Sequence, residues 1–251
     1  MFMQKMALVV IGLLLGNLAL GYHRSDTSVV MQGKYEYRFS YKSLIVPSSL
    51  ILYGAVGTYV NPFKQWNVEI RDAVVANVAR SYHADDYLRY APYASVYLLD
   101  AIGLKAKHRF VDRSIIALST YMLTSYSVGA IKGLTHILRP DSSLYTSFPS
   151  GHTAIAFAGA EFLWQEYKDQ SIWIGIAGYS TATVVGVMRI INNKHWLTDV
   201  VAAAGFGMLC TKTVYVVHEK VKYKVANRKV EAMIFPYFYK DHMGMSFSLR
   251  F

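Results

Sequence analysis

At 251 residues the chain can bury a full core, and 53% hydrophobic against 17% charged residues make it more apolar than an average soluble domain. This tilts it towards a membrane, and a formal charge of +10 suits an anionic partner such as phosphate head groups or a lipid surface. No nucleic-acid recognition motif accompanies the charge, and the lone Cys210 excludes an intrachain disulfide.

The chain opens with Lys5, an apolar run over 6–20 and the small residues Ala19-Leu20-Gly21, so residues 1–21 read as a signal peptide or an uncleaved N-terminal anchor. As an anchor, about sixteen apolar residues fall short of the roughly twenty a span needs. Residues 22–42 alternate around Lys34 to Phe39 and read as an extended arm. Apolar segments follow at 43–60, 90–104, 115–131, 153–164, 172–188 and 200–217. They predict an all-α protein, a bundle of about six apolar helices embedded in a membrane, with 43–217 as one domain. Between the first two, Ile70, Val74 and Val78 recur at four-residue steps over 68–78, the pattern of an amphipathic interfacial helix. Residues 218–251 are a basic segment and tail, in which Met243, Met245, Phe247, Leu249 and Phe251 alternate with small or polar residues as in a short extended strand.

Loop charge gives a topology. Lys105, Lys107, Arg109 and Arg113 crowd one connection and Lys220, Lys222, Lys224, Arg228 and Lys229 the tail, while 141–147 lacks Lys and Arg. By the positive-inside rule the basic segments are cytoplasmic, which sets 141–147 and the connections at its end on the periplasmic side. A cleaved signal conflicts with 43–60 as a first outward span, so either the first run is retained or 43–60 does not cross.

Three stretches carry the chemistry. Lys132 and Arg139-Pro140 come first, Pro149-Ser150-Gly151-His152 second, and Arg189 with His195 and Asp199 third. They supply three fixed cations, two imidazoles, a carboxylate and a Gly-containing turn, the groups needed to hold and transfer a phosphoryl group. On a continuous helix Lys132 and Arg139, seven apart, share a face, and an i, i+4 spacing lets Asp199 hold a His195 N–H. Ser150 and Gly151 precede a helix start near Thr153, where backbone N–H groups favour an anion.

The ordered set K-x6-R-P, P-S-G-H and R-x5-H-x3-D resembles the signature of the type 2 phosphatidic acid phosphatase (PAP2) family, whose site is shared with bacterial acid phosphatases and vanadium haloperoxidases. The resemblance runs over about residues 89–217. Met188 stands where the family usually has Ser, and the spacer from Pro140 to Pro149 is short, which predicts a tight loop in place of a lid. The resemblance implies a phosphatase acting on phosphomonoesters or diphosphates of a lipid, with no cofactor and no metal. In that scheme His195 is the nucleophile forming a phosphohistidine, Asp199 orients it, and His152 is general acid and then base. Lys132, Arg139, Ser150, Gly151 and Arg189 bind the phosphate. A soluble periplasmic acid phosphatase and a non-catalytic lipid-phosphate-binding envelope protein are the alternatives. A haloperoxidase, in which His195 would ligate vanadate, is disfavoured by the compact chain.

Other polar residues have plainer readings. Asp85-Asp86 beside His83 cap a helix, Asp100 is structural, His136 lies on a polar helix face, and His108, His218 and His242 are solvated.

Overall fold

The computed structural model describes residues 41–77, 83–227, 231–239 and 242–250. The expected export segment and most of the extended arm lie outside the described residues. A 3-10 turn at Tyr41–Leu44 leads into α1 (Ile45–Tyr59) and α2 (Asn61–Asn77). A single turn, α3 (Asp85–Leu88), precedes α4 (Ala91–Ala101), α5 (Phe110–Thr135), α6 (Gly151–Tyr167), α7 (Ile172–Ile191) and α8 (Leu197–Asn227). Each of the six predicted apolar segments is a helix, and the amphipathic stretch is α2. The helical bundle is the all-α fold that the sequence predicts.

Local signals set the ends. Val60 is extended, with φ −90 and ψ 128, ahead of Asn61-Pro62, so the axis turns by 90° between α1 and α2. Pro92 sits in the first turn of α4, where its missing N–H costs nothing, and Gly103, at φ +104, follows its C-terminus. Ser171 caps α7 by accepting the Trp173 N–H.

Two contacts need the smallest residue. A Cβ at Gly207 of α8 would lie 2.2 Å from Ala154 O of α6, and one at Gly54 of α1 would lie 2.5 Å from Thr198 O of α8. At both places helix backbones touch, as in small-residue interfaces of membrane bundles. Around α6, whose Ala154, Ala156, Ala158, Ala160 and Phe162 are fully buried, pack α4, α5, α7 and α8. The Glu161 carboxylate on α6 takes Lys212 of α8 at 2.6 Å and the Tyr179 hydroxyl of α7 at 2.5 Å, so a charge is buried only with its partners.

Three helical stretches among the described residues are long and apolar enough to cross a membrane: α5, α7 and 197–222 of α8, with the bent α1–α2 pair as a possible fourth. The helices alternate in direction, which separates two ends. One end gathers the C-termini of α1, α5 and α7 and the N-termini of α6 and α8, with α2 lying across it: Asn67 Nδ2 donates to Thr198 Oγ1 at 2.9 Å and Asn67 Oδ1 accepts from Thr198 N–H.

The opposite end holds the basic 105–109 connection and closes by ion pairs. His108, expected in solvent, is buried: its Nδ1 is 2.7 Å from Glu166 Oε1 and its Nε2 3.1 Å from Glu219 Oε1. Tyr215 OH donates to the same Glu166 oxygen. His218 is also largely covered, against Asp112 at 3.7 Å. The reason is tertiary, because α6 and α8 bring their glutamates to a loop that sequence alone leaves bare. Asp100 is structural as expected, paired to the buried Arg113 at 2.6 Å. At the C-terminus the expected strand is β2 (His242–Arg250), but it is half of an antiparallel hairpin with β1 (Glu231–Tyr239), registered from Glu231↔Arg250 to Tyr239↔His242. β1 lies in the segment read only as basic tail.

Burial opposes a proton on His108, yet Glu166 and Glu219 outweigh it and raise its pKa to about 9. A histidine raised from about 6.5 contributes stability fully present below pH 6.5 and lost as pH rises towards 9. The thermal midpoint in detergent should therefore fall over that window, and His108→Gln should flatten the fall; equal slopes in both proteins would remove His108 as its source.

Candidate active site

All three motif stretches meet at the end crossed by α2. Lys132 lies in the last turn of α5, and its Nζ donates to Thr146 O and, at 3.4 Å, to Ser147 O. The continuous helix expected to align Lys132 with Arg139 does not exist. α5 stops at Thr135, His136 takes a left-handed conformation at φ 46, and Arg139 belongs to a loop. His136 is thus a helix terminator, not a helix-face residue. The loop is as tight as its length predicted: Arg139 N–H donates to Leu144 O at 3.0 Å, Ser142 N–H to Arg139 O at 3.0 Å, and Ser147 N–H to Ile137 O at 2.9 Å. Through this fold-back Arg139 still comes within electrostatic range of Lys132, as do Arg189 and Asp199.

α6 begins at Gly151, two residues ahead of the expected start, with Ser150 at the N-cap. Ser150 is fully buried and does not cap: its hydroxyl pairs with Thr153 Oγ1 at 2.9 Å. Its backbone N–H is not offered to an anion either, since it donates to Asp199 O at 3.2 Å. The N–H groups of this turn left open to an acceptor are those that follow Ser150, starting with Gly151, because a helix leaves its first donors without intrahelical partners. His152 is in the first turn, its Nε2 2.7 Å from Asp86 Oδ1 and 3.1 Å from Arg89 Nη1.

Arg189, in the last turn of α7, is buried and bound at 2.7 Å to Asp85 Oδ2. Asp85 Oδ1 also accepts from Asn192 Nδ2 at 3.2 Å. His195 is 3% exposed and lies before α8, in the connection rather than on the helix. Its Nδ1 is 3.6 Å from Asp199 Oδ2, beyond a hydrogen bond, so the expected i, i+4 clasp is only an approach. The carboxylate is already engaged: Asp199 Oδ2 accepts the Ser147 hydroxyl at 2.5 Å and the Trp196 N–H at 3.0 Å. The second bond reaches from the third helical residue back to the N-cap amide, one half of a capping box.

Burial lowers the proton affinity of both histidines. Burial lowers His195 to about 4; Asp199 pulls the other way, and the charges of Lys132 and Arg189 reinforce the burial. The ring is therefore neutral, with a lone pair available, throughout the physiological range. His152 is also lowered by burial, with Asp86 opposing and the Arg189 and Arg89 charges assisting. Among the described residues Arg139 Nε, Arg189 Nε and His195 Nδ1 are buried without hydrogen-bond partners, and neither Lys132 nor Arg139 is in salt-bridge contact with a carboxylate.

Residues 113–223 match the family model of the PAP2 superfamily. The lipid A 1-phosphatase of Porphyromonas gingivalis is 35% identical over 134 residues, 52% of this chain and 30% of that protein's own length. Among solved structures, Aquifex aeolicus LpxE aligns at 22% identity over 60% of this chain and 95% of its own, with a TM-score of 0.45. A transmembrane PAP2-type phosphatidylglycerolphosphate phosphatase from Bacillus subtilis aligns at 20% over 70% and 97%, with a TM-score of 0.46.

Ser147, Asp85, Asp86 and Arg89 were not singled out by the sequence as site residues, and the last three lie ahead of the PAP2 match. Asp85 and Asp86 open α3 and instead of merely capping it reach Arg189 and His152. The available signal was positional: in a bundle of alternating helices, charges just before the apolar segment at 90 share an end with the loops at 136–150 and 192–196. Asp85, Asp86 and His152 each place one ligand atom within 4.8 Å of the others, but Arg189 and Arg89 already neutralise this cluster.

A Cβ on Gly151 would find Val128 Cγ1 at 3.8 Å, an ordinary contact, so packing does not demand glycine here. Gly151→Ala should leave the thermal midpoint within about 2 °C of wild type, as a change free of clashes does. The stabilising shift on adding inorganic phosphate or vanadate should shrink several-fold, measured by thermal denaturation. An undiminished shift would place the anion away from this backbone.

Proposed function

We propose that this chain is a PAP2-type phosphatase of the cell envelope that hydrolyses the phosphate of a membrane lipid through a phosphohistidine at His195. The observation that carries the reading is the convergence of Lys132, Arg139 and Arg189 around a buried, neutral His195, with basic nitrogens left unpartnered beside it. Such a cluster suits a tetrahedral oxyanion, and its own cations do the work that a metal ion does elsewhere.

In this scheme His195 forms a P–N bond as the P–O bond to the lipid breaks, and His152 gives its proton to the departing oxygen. Water then adds to phosphorus, its proton passes to His152, and the P–N bond breaks to release phosphate. Asp199 steadies the ring from the Nδ1 side and stabilises its positive charge. Arginines at 139 and 189 bind phosphate oxygens, and each donor is worth about 3–4 kcal/mol in the transition state.

The lipid substrate class is supported by the candidate spans, the exposed Tyr53, Tyr59 and Trp66 of the bent α1–α2 pair beside the site, and the relationship to a lipid A 1-phosphatase. A phosphorylated glycolipid of the lipid A type is the first substrate to try. The separation of the site from the basic connection and α8 end supports a periplasmic opening and a cytoplasmic opposite end.

Purified protein in detergent should release phosphate from at least one of lipid A, phosphatidate, phosphatidylglycerol phosphate and an isoprenyl diphosphate, with or without chelator. His195→Ala should abolish both turnover and an acid-labile phosphoenzyme trapped by rapid quenching; wild-type rates in that variant would exclude the nucleophile assignment. Met188, half-buried beside Arg189, offers no hydroxyl where the family has one. Met188→Ser should leave kcat unchanged or raise it, and a tenfold loss would mean a differently arranged phosphate pocket.

A further inference from the structure

His152 presents one nitrogen to two incompatible neighbours. Nε2 is 2.7 Å from Asp86 Oδ1, which only accepts, and 3.1 Å from Arg89 Nη1, which only donates. With a proton, Nε2 bonds to Asp86; without one, its lone pair faces Arg89. Either way Nε2 is committed, and Nδ1 is the nitrogen left for chemistry. Arg89 is itself held, by Nε donating to Asp86 O at 3.1 Å and by its guanidinium lying 4.7 Å from the Tyr90 ring centre. The preceding residue, Asp85, grips Arg189 at 2.7 Å, so α3 ties the histidine to a phosphate-pocket arginine.

We propose that Asp86 and Arg89 are an opposed pair of positioning residues, lying ahead of the PAP2 segment, that reserve His152 Nδ1 for the leaving-group proton and set its acidity from opposite sides. The proposal rests on the phosphatase reading above. In the reactive form the imidazolium donates Nε2–H to Asp86 and Nδ1–H to the leaving oxygen. As the P–O bond breaks, that oxygen takes the Nδ1 proton and the ring stays neutral with Nε2–H still on Asp86. Nδ1 then accepts the proton of the attacking water while its hydroxide bonds to phosphorus, which restores the imidazolium. The charged groups facing His152 are Asp85, Asp86 and Arg89 from the α3 turn and Arg189 from α7. Asp86 stabilises the charged ring and the arginines destabilise it, so removing one neighbour or the other must move the proton affinity in opposite directions. A residue that merely braced the fold would not give opposite signs.

The test is a histidine Cε1–H NMR titration of the full chain in detergent micelles, with His152 assigned from His152→Gln, beside kcat/KM against pH. In Asp86→Asn the His152 midpoint should fall by about one pH unit, and in Arg89→Gln it should rise by a similar amount. The alkaline limb of kcat/KM, which reports loss of the His152 proton, should move with it, and Asp86→Glu should restore both. Shifts of the same sign, or no shift in variants that keep the wild-type thermal midpoint, would overturn the proposal. If Asp86→Asn fails to fold, the sign of the Arg89→Gln shift and the Asp86→Glu profile still decide it. Opposite NMR shifts in a protein that hydrolyses no lipid phosphate would uphold the pair and sink the phosphatase reading; hydrolysis without the shifts would do the reverse.

Discussion

The site is assembled around one buried carboxylate. Asp199 is fully buried, and its side chain takes the Ser147 hydroxyl from the loop after α5 and the Trp196 amide from the connection before α8. Its backbone carbonyl takes the Ser150 N–H at the start of α6. Two segments far apart in sequence, 147–150 and 196–199, are thus joined through a single residue. Hydrogen bonds to a charged acceptor are each worth about 1.5–3 kcal/mol, and an unpaired buried charge costs several, so Asp199 holds its loops only while all of them are in place. His195 Nδ1 stands 3.6 Å from the shared Oδ2, while Asp199 Oδ1 is buried without a hydrogen-bond partner.

The two ends of the bundle differ in how many of their cations meet a carboxylate. Away from the site, His108 with Glu166 and Glu219, Arg113 with Asp100, and Lys222 with Asp112 form ion pairs, although Arg113 Nε, like Arg189 Nε, is buried without a partner. At the site end Lys132 donates to backbone carbonyls, which leave its charge uncompensated. A folded protein tolerates this only where packing elsewhere supplies the stability. Here that packing is the close apposition of α6 with α8 and of α1 with α8, at glycines where backbone meets backbone.

Much of this was written in the residue pattern. Apolar runs bounded by Pro, Gly and charge gave the six helices, because burying a helix needs little more than a continuous apolar face. The motif residues could be named because chemistry fixes their types and spacings. The pattern failed where a backbone left its regular form. Lys132 and Arg139 looked like one helix face until His136 turned left-handed, and His195 with Asp199 looked like a helical pair although His195 lies before the helix. It failed also where charges found distant partners, as at His108 and at Asp85-Asp86.

By itself, then, the amino-acid sequence determined the helical class, the alternation of apolar and basic segments, and the identity of the motif residues, since these depend on local composition and covalent order. Tertiary structure alone decided that Ser150 spends its amide on Asp199, that Ser147 shares that carboxylate, and that a single turn before α4 brings Asp86 and Arg89 to His152. The physical reason is that a hydrogen bond depends on distances of a few tenths of an ångström between groups whose sequence separation, 66 residues for Asp86 and His152, carries no information about their approach.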